Sequence, residues 1–63
     1  MKPFELYTKK QVAALFQVHR HTIERRVAAG KFPPPIQVLG RMRWRKEDID
    51  DYMRKRMREA YSR

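Results

Sequence analysis

From Thr8 to Gly30 the apolar residues recur at helical spacing. Val12, Leu15 and Phe16 fall at i, i+3 and i+4, with Ala13 beside them, and mark the apolar face of a first helix of about two turns. Thr8 is placed as its N-cap and Gln11 follows three residues later, so TKKQ reads as a capping box. Gln17-Val18 is the turn, with Gln17 where such turns tend toward a positive φ and usually carry Gly. A second helix is expected roughly from Arg20 to Ala29, with His19 at the N-cap and Gly30 as the C′ stop. Ile23 and Val27 face its core side. The opposite side then holds His21, Thr22, Arg25 and Ala29, flanked by Arg26 and Ala28. Residues 1–7 form a short lead-in from which Phe4 and Leu6 are available to pack.

After Gly30 the period changes. Three prolines in Lys31-Phe32-Pro33-Pro34-Pro35 force an extended path. Ile36-Gln37-Val38 alternates apolar and polar, Leu39-Gly40 is a turn signal, and Arg41-Met42-Arg43-Trp44 alternates again with cation out and apolar in. Together they predict a β-hairpin of about three residues per strand. Arg45-Lys46 leads into a last helix whose apolar stripe is Ile49, Tyr52, Met53 and Met57, extended by Ala60. Its first turns collect Glu47, Asp48, Asp50 and Asp51, and its end collects Arg54, Lys55, Arg56 and Arg58, the polarity that the helix dipole favours. The same spacing lets Asp50 meet Arg54 and Asp51 meet Lys55 at i, i+4. The expected fold is a small α+β winged helix-turn-helix, one domain over residues 1–63 with a basic tail from about 54.

Size and charge then narrow the function. A chain of 63 residues buries only a small core, with no room for a roomy catalytic cleft. It has no cysteine, so neither disulfides nor a zinc finger staple it. Lys and Arg number 16 against 7 Asp and Glu, for a net charge of +9, which favours a polyanionic partner, nucleic acid or an anionic membrane surface. The start, MKPFELYTKK, lacks the apolar region of a signal peptide, and no run approaches the ~18 apolar residues of a membrane span. These features lead us to expect a soluble cytoplasmic protein, and the Met start with the short length a whole gene product.

Each candidate group has a bland counterpart. The cations of the second helix are either a solvated face or a surface for a duplex. Helix-turn-helix spacing, the shortage of acids (Glu24 against Arg20, Arg25 and Arg26) and the small Ala28 and Ala29 favour the duplex, whose major groove is about 12 Å wide and admits one such helix. His21, Thr22 and Arg25 are expected to read base edges, and Arg20 and Arg26 to hold phosphates. Arg41 and Arg43 either protect a sheet edge or form a wing on phosphates, and their charge, added to that of the second helix, favours the wing. Trp44 is read as core rather than as a base-stacking platform. His19 and His21, two apart, fall on different sides of a helix and lack a third ligand, so no metal or other cofactor is expected. Nor does any residue set support catalysis. The rival of another class is a basic RNA- or ribosome-associated protein, against which stands the lack of an aromatic stacking platform.

Over residues 6–53 the chain resembles the small winged-helix proteins of mobile elements, phage excisionases and AlpA-type prophage regulators. The motifs that carry the resemblance are Thr8, Val12 and Ala13; Val18, Arg20 and Thr22; Gly30, Phe32, Pro33 and Pro35; and Arg41, Arg43, Trp44, Asp48 and Ile49. His19 replaces the usual N-cap Ser, and the basic tail lies outside the core motif. The resemblance implies a MerR-like winged helix that binds and bends specific double-stranded DNA. For an excisionase it further implies a tyrosine integrase as partner, with copies bound side by side on DNA; for an AlpA-type protein, transcriptional regulation. The absence of an effector domain or a long dimerisation coiled coil leans toward the excisionase.

Overall fold

The computed structural model describes residues 5–62. The expectations for Phe4 and Arg63 lie outside that range. The elements run β1 (Leu6–Thr8), α1 (Lys9–Leu15), α2 (Arg20–Ala28), β2 (Ile36–Val38), β3 (Arg41–Arg45) and α3 (Lys46–Tyr61). Three helices and a three-stranded antiparallel sheet of order β1-β3-β2 make a small α+β winged helix-turn-helix.

The capping box forms as read. Thr8 Oγ1 accepts from the Gln11 amide at 3.0 Å, and Gln11 Oε1 accepts from the Thr8 amide at 2.9 Å. The connection between the helices is the C-terminal cap of α1. The Gln17 amide donates to Ala14 O and the Val18 amide to Ala13 O, the bond pair of a Schellman motif, with Gln17 in the left-handed region at φ 58°. The same pair closes α2, where Gly30 N donates to Val27 O and Lys31 N to Arg26 O, with Gly30 at φ 72°. Gly30 enters that conformation without a Cβ penalty, whereas Gln17 carries one.

Val12, Ala13, Ile23, Phe32, Trp44 and Ile49 are the buried core, and Tyr7, Phe16, Val27, Met42 and Tyr52 pack around it. Phe32 is its hub. Its ring meets Phe16 edge-on at 5.6 Å, Trp44 edge-on at 6.1 Å and Tyr52 tilted at 5.0 Å. Trp44 is fully buried, and its indole N–H donates to Pro33 O at 2.8 Å, which ties the proline segment to the sheet. The register pairs Tyr7 with Trp44 and Gln37 with Met42, so these residues share one face of the sheet. Thr8, Arg43 and Ile36 lie across one another on the other face, with Val38 and Arg41.

Several expectations are corrected. The lead-in contains strand β1, which pairs with β3 and makes β3 central. Leu15 is 51% exposed rather than part of the core, because α1 ends there and the chain turns away. Met57, at 50% exposure, and Ala60 extend the stripe of α3 past the body it packs on, leaving them in solvent. Arg54 pairs with Asp51 at i, i+3 (2.9 Å), not with Asp50 at i, i+4, and no Asp51–Lys55 pair forms among the described residues.

Candidate nucleic-acid interface

The exposed side of α2 begins at an unusual cap. His19 is extended (φ −75°, ψ 152°), and its Nδ1 accepts from the His21 amide at 3.2 Å. Because His19 stands outside the helical path, its ring stacks on that of His21, with centroids 4.9 Å apart and planes 12° apart. This overturns the expectation that the two rings point to different sides. His21 Nδ1 also lies 3.3 Å from Glu24 Oε2. Glu24 in turn forms an ion pair with Lys9, a bond that staples α2 to the first turn of α1. That hydrogen bond, helped by the one to His21, holds the Glu24 carboxyl below its ordinary value.

Beyond this cluster α2 presents bare cations. Arg20, Arg25 and Arg26 are exposed and form no ion pair among the described residues. Ala28 and Ala29 are exposed as well, so little bulk stands between the backbone at this end and a partner. Thr22 is half-buried on the flank. With Arg25, Arg26, Ala29 and Lys31 it borders a shallow depression of about 320 Å³.

A second, larger concavity lies between the start of α2 and the hairpin. This cleft of about 540 Å³ is bordered by Lys9, Lys10, Arg20, Gly40, Arg41 and Arg43. Five cations from three elements converge there because β3 pairs with β1, and β1 leads directly into α1. Lys9 is partly neutralised by Glu24; Lys10, Arg20, Arg41 and Arg43 form no ion pair among the described residues. Arg43 is braced by a 2.8 Å bond from Nη1 to Met42 O.

The residues singled out from sequence therefore fall into two groups. Thr22, Arg25 and Arg26 gather at the C-terminal half of α2, joined by Lys31. Arg20, Arg41 and Arg43 gather at its N-terminal end, joined by Lys9 and Lys10. His21 sits near the second group, held by its stack and by Glu24. Lys9, Lys10 and Lys31 do not stand out in the sequence pattern. Lys9 and Lys10 read simply as the first turn of a helix, and only the pairing of β1 places that turn beside the hairpin. Arg45, the last residue of β3, is engaged by Asp48 in a bidentate pair (2.8 and 3.1 Å), which raises the basicity of Arg45 and lowers that of Asp48.

Among the described residues no helix is long and apolar enough to cross a membrane, and no group of three His, Asp or Glu is placed to hold a metal ion. No curated protein and no solved structure matches the chain. One family profile does, that of a helix-turn-helix domain, and it aligns with residues 6–57, from the start of β1 well into α3. With the two helices, the turn and the exposed basic face in place, that match identifies the chain as a member of the helix-turn-helix domain family, whose small proteins bind DNA and are typically non-enzymatic.

Proposed function

We propose that this chain acts as one winged unit that recognises a specific duplex DNA site and bends it, as the excisionase of a phage or other mobile element. The observation that carries the reading is the pair of cationic surfaces at the two ends of α2. A nine-residue helix spans about 13 Å, close to the width of a major groove, so the two surfaces meet the phosphate strands on either side of it. Arg25 and Thr22 face the base edges with His21 beside them. Arg26 and Lys31 hold one strand, and Arg20, Lys10, Arg41 and Arg43 hold the other. Contacts on both strands favour a duplex drawn around the protein, a bend costing on the order of 1–6 kcal/mol and offset by the added contacts.

In this reading the protein does no chemistry, needs no cofactor and works in the cytoplasm on the nucleoid beside a tyrosine integrase, which makes and joins the DNA ends. Lys55 and Arg58, exposed on the far half of α3, are available to phosphates beyond the site or to a neighbouring copy. The test is a circular-permutation gel on the natural site, with and without the integrase. Two or more copies bound, a bend of tens of degrees and a shift toward excision are expected. A straight complex of one copy with no effect on integrase direction rejects the excisionase and leaves an AlpA-type regulator. Preference for duplex RNA over duplex DNA in competition rejects both.

A further inference from the structure

We propose that Leu39, at the tip of the wing, is an apolar wedge that enters a base step of the bound duplex. The inference rests on the DNA-binding reading above and adds to it a contact of a different chemistry.

The tip is a two-residue loop between Val38 and Arg41, which pair across the hairpin. Both loop residues have positive φ, 51° at Leu39 and 76° at Gly40, the arrangement of a type I′ turn. Such turns favour Asn or Asp followed by Gly. Gly40 satisfies the second position, and a Cβ there would meet nothing within 4 Å, so its glycine serves the backbone angle. Leu39 at the first position has no such fit. A bulky side chain is uncommon in the left-handed region and strains the backbone. Leu39 is also 98% exposed, so it returns nothing to the core. A leucine that strains its own turn and packs on nothing among the described residues is placed to make its contact with a partner.

The surroundings say what kind of contact. The next residues, Gly40 and Arg41, border the cleft that also holds Lys9, Lys10, Arg20 and Arg43. Whatever meets the tip must therefore be strongly anionic and also offer apolar surface at a depth a leucine can reach. Duplex DNA meets both conditions: its phosphates lie outside and its base faces within. Leucine is among the side chains that enter a groove, part the stack and kink the duplex. With α2 in the major groove, the hairpin lies over the flanking groove, where Arg41 and Arg43 hold phosphates while Leu39 enters. Pyrimidine–purine steps unstack most readily, so the tip adds a shape-read position to the site without a hydrogen bond to any base.

The experiment compares the parent chain with Leu39→Asn, which suits the turn and removes the wedge, and Leu39→Met, which keeps an apolar side chain of similar volume. The probe is the duplex that the parent enriches from a random pool, with 2-aminopurine at each adenine in turn and a fluorophore pair at its ends. The parent and Leu39→Met are expected to brighten one 2-aminopurine position and shorten the end-to-end distance. Leu39→Asn is expected to melt at the same or a higher temperature, to lose the brightening and at least half of the bend, and to bind about tenfold more weakly. Its salt dependence should be unchanged, because no phosphate contact is removed. Undiminished brightening and bending by Leu39→Asn would overturn the wedge and leave the DNA-binding reading intact, the result expected if Leu39 docks on a protein instead. A parent chain that binds no duplex at all would overturn both.

Discussion

In α2 the arginines at 20, 25 and 26 are exposed and unpaired among the described residues, and the helix's one acid, Glu24, is engaged by Lys9 and His21. In the distal half of α3, Arg54 pairs with Asp51 and Arg56 with Glu59, and the Arg56 guanidinium also lies 5.2 Å from the Tyr52 ring centre. Two exposed basic helices thus handle charge in opposite ways. A net charge of +9 describes the chain but does not locate its field. The cations available to a polyanion concentrate on α2 and the wing, because there the acids are few and already taken, while two of the arginines of α3 spend part of their attraction within their own helix.

The largest effect tests the core that both helices share. Trp44→Ala should cost about 3–5 kcal/mol, a large part of the total stability of a domain this small, and should abolish a cooperative thermal transition followed by circular dichroism. A variant that melts cooperatively near the parent temperature contradicts the burial of Trp44 and its bond to Pro33. Next comes the contrast itself. Arg25→Ala should weaken binding to a selected duplex by about 1–3 kcal/mol and to random duplex far less, while Arg54→Ala should shift either by no more than about 0.5 kcal/mol. Equal losses from the two changes would show that ion pairing in α3 does not set its arginines apart.

Arg41→Ala and Arg43→Ala should weaken all duplexes alike and each lower the slope of log affinity against log salt by about one. Affinity unchanged on every duplex would reduce the wing to a protected sheet edge. The smallest effect has the opposite sign. Glu24→Gln releases Lys9 and adds one positive charge to the face, so affinity for random duplex should rise modestly. The same variant carries a pH signature. The Glu24 carboxyl is held below its ordinary value of 4.5, so its stabilising contribution is complete above that value and is lost as pH falls through the lower folded-state value. The melting temperature of the parent should therefore fall more steeply below about pH 4.5 than that of Glu24→Gln. Parallel curves would show that the link between α1 and α2 contributes nothing in solution.

Much of this architecture was legible in the chain because its signals are local. The capping box at Thr8, the positive φ at Gln17, the stop at Gly30 and the cation-out, apolar-in alternation through Trp44 each depend on a few neighbouring residues. What escaped depends on distant ones. Strand β1 has three residues and no pattern of its own, and it exists because β3 pairs with it. Phe32 is masked by the prolines around it and becomes the core hub only when the chain folds over. Ile36 alternates correctly, but alternation does not say which face turns inward, and the pairing of Gln37 with Met42 leaves Ile36 outside, 42% exposed. For the interface, the arginines of α2 and the wing stood out by their charge, whereas the part of Lys9 and Lys10 follows from the closure of the sheet.

Strand β3 also constrains how such a protein can change over generations. Within five residues, Met42 and Trp44 serve the interior while Arg41 and Arg43 border the cationic cleft, one after the other. Substituting an arginine changes the charge of that cleft and leaves the interior untouched. Inserting or deleting one residue inverts both sets together, because side chains alternate with a period of two. The overall strength of the proposed phosphate contacts can therefore be adjusted here by exchange of side chains at fixed length, and any change of length is confined to the turn that carries Leu39.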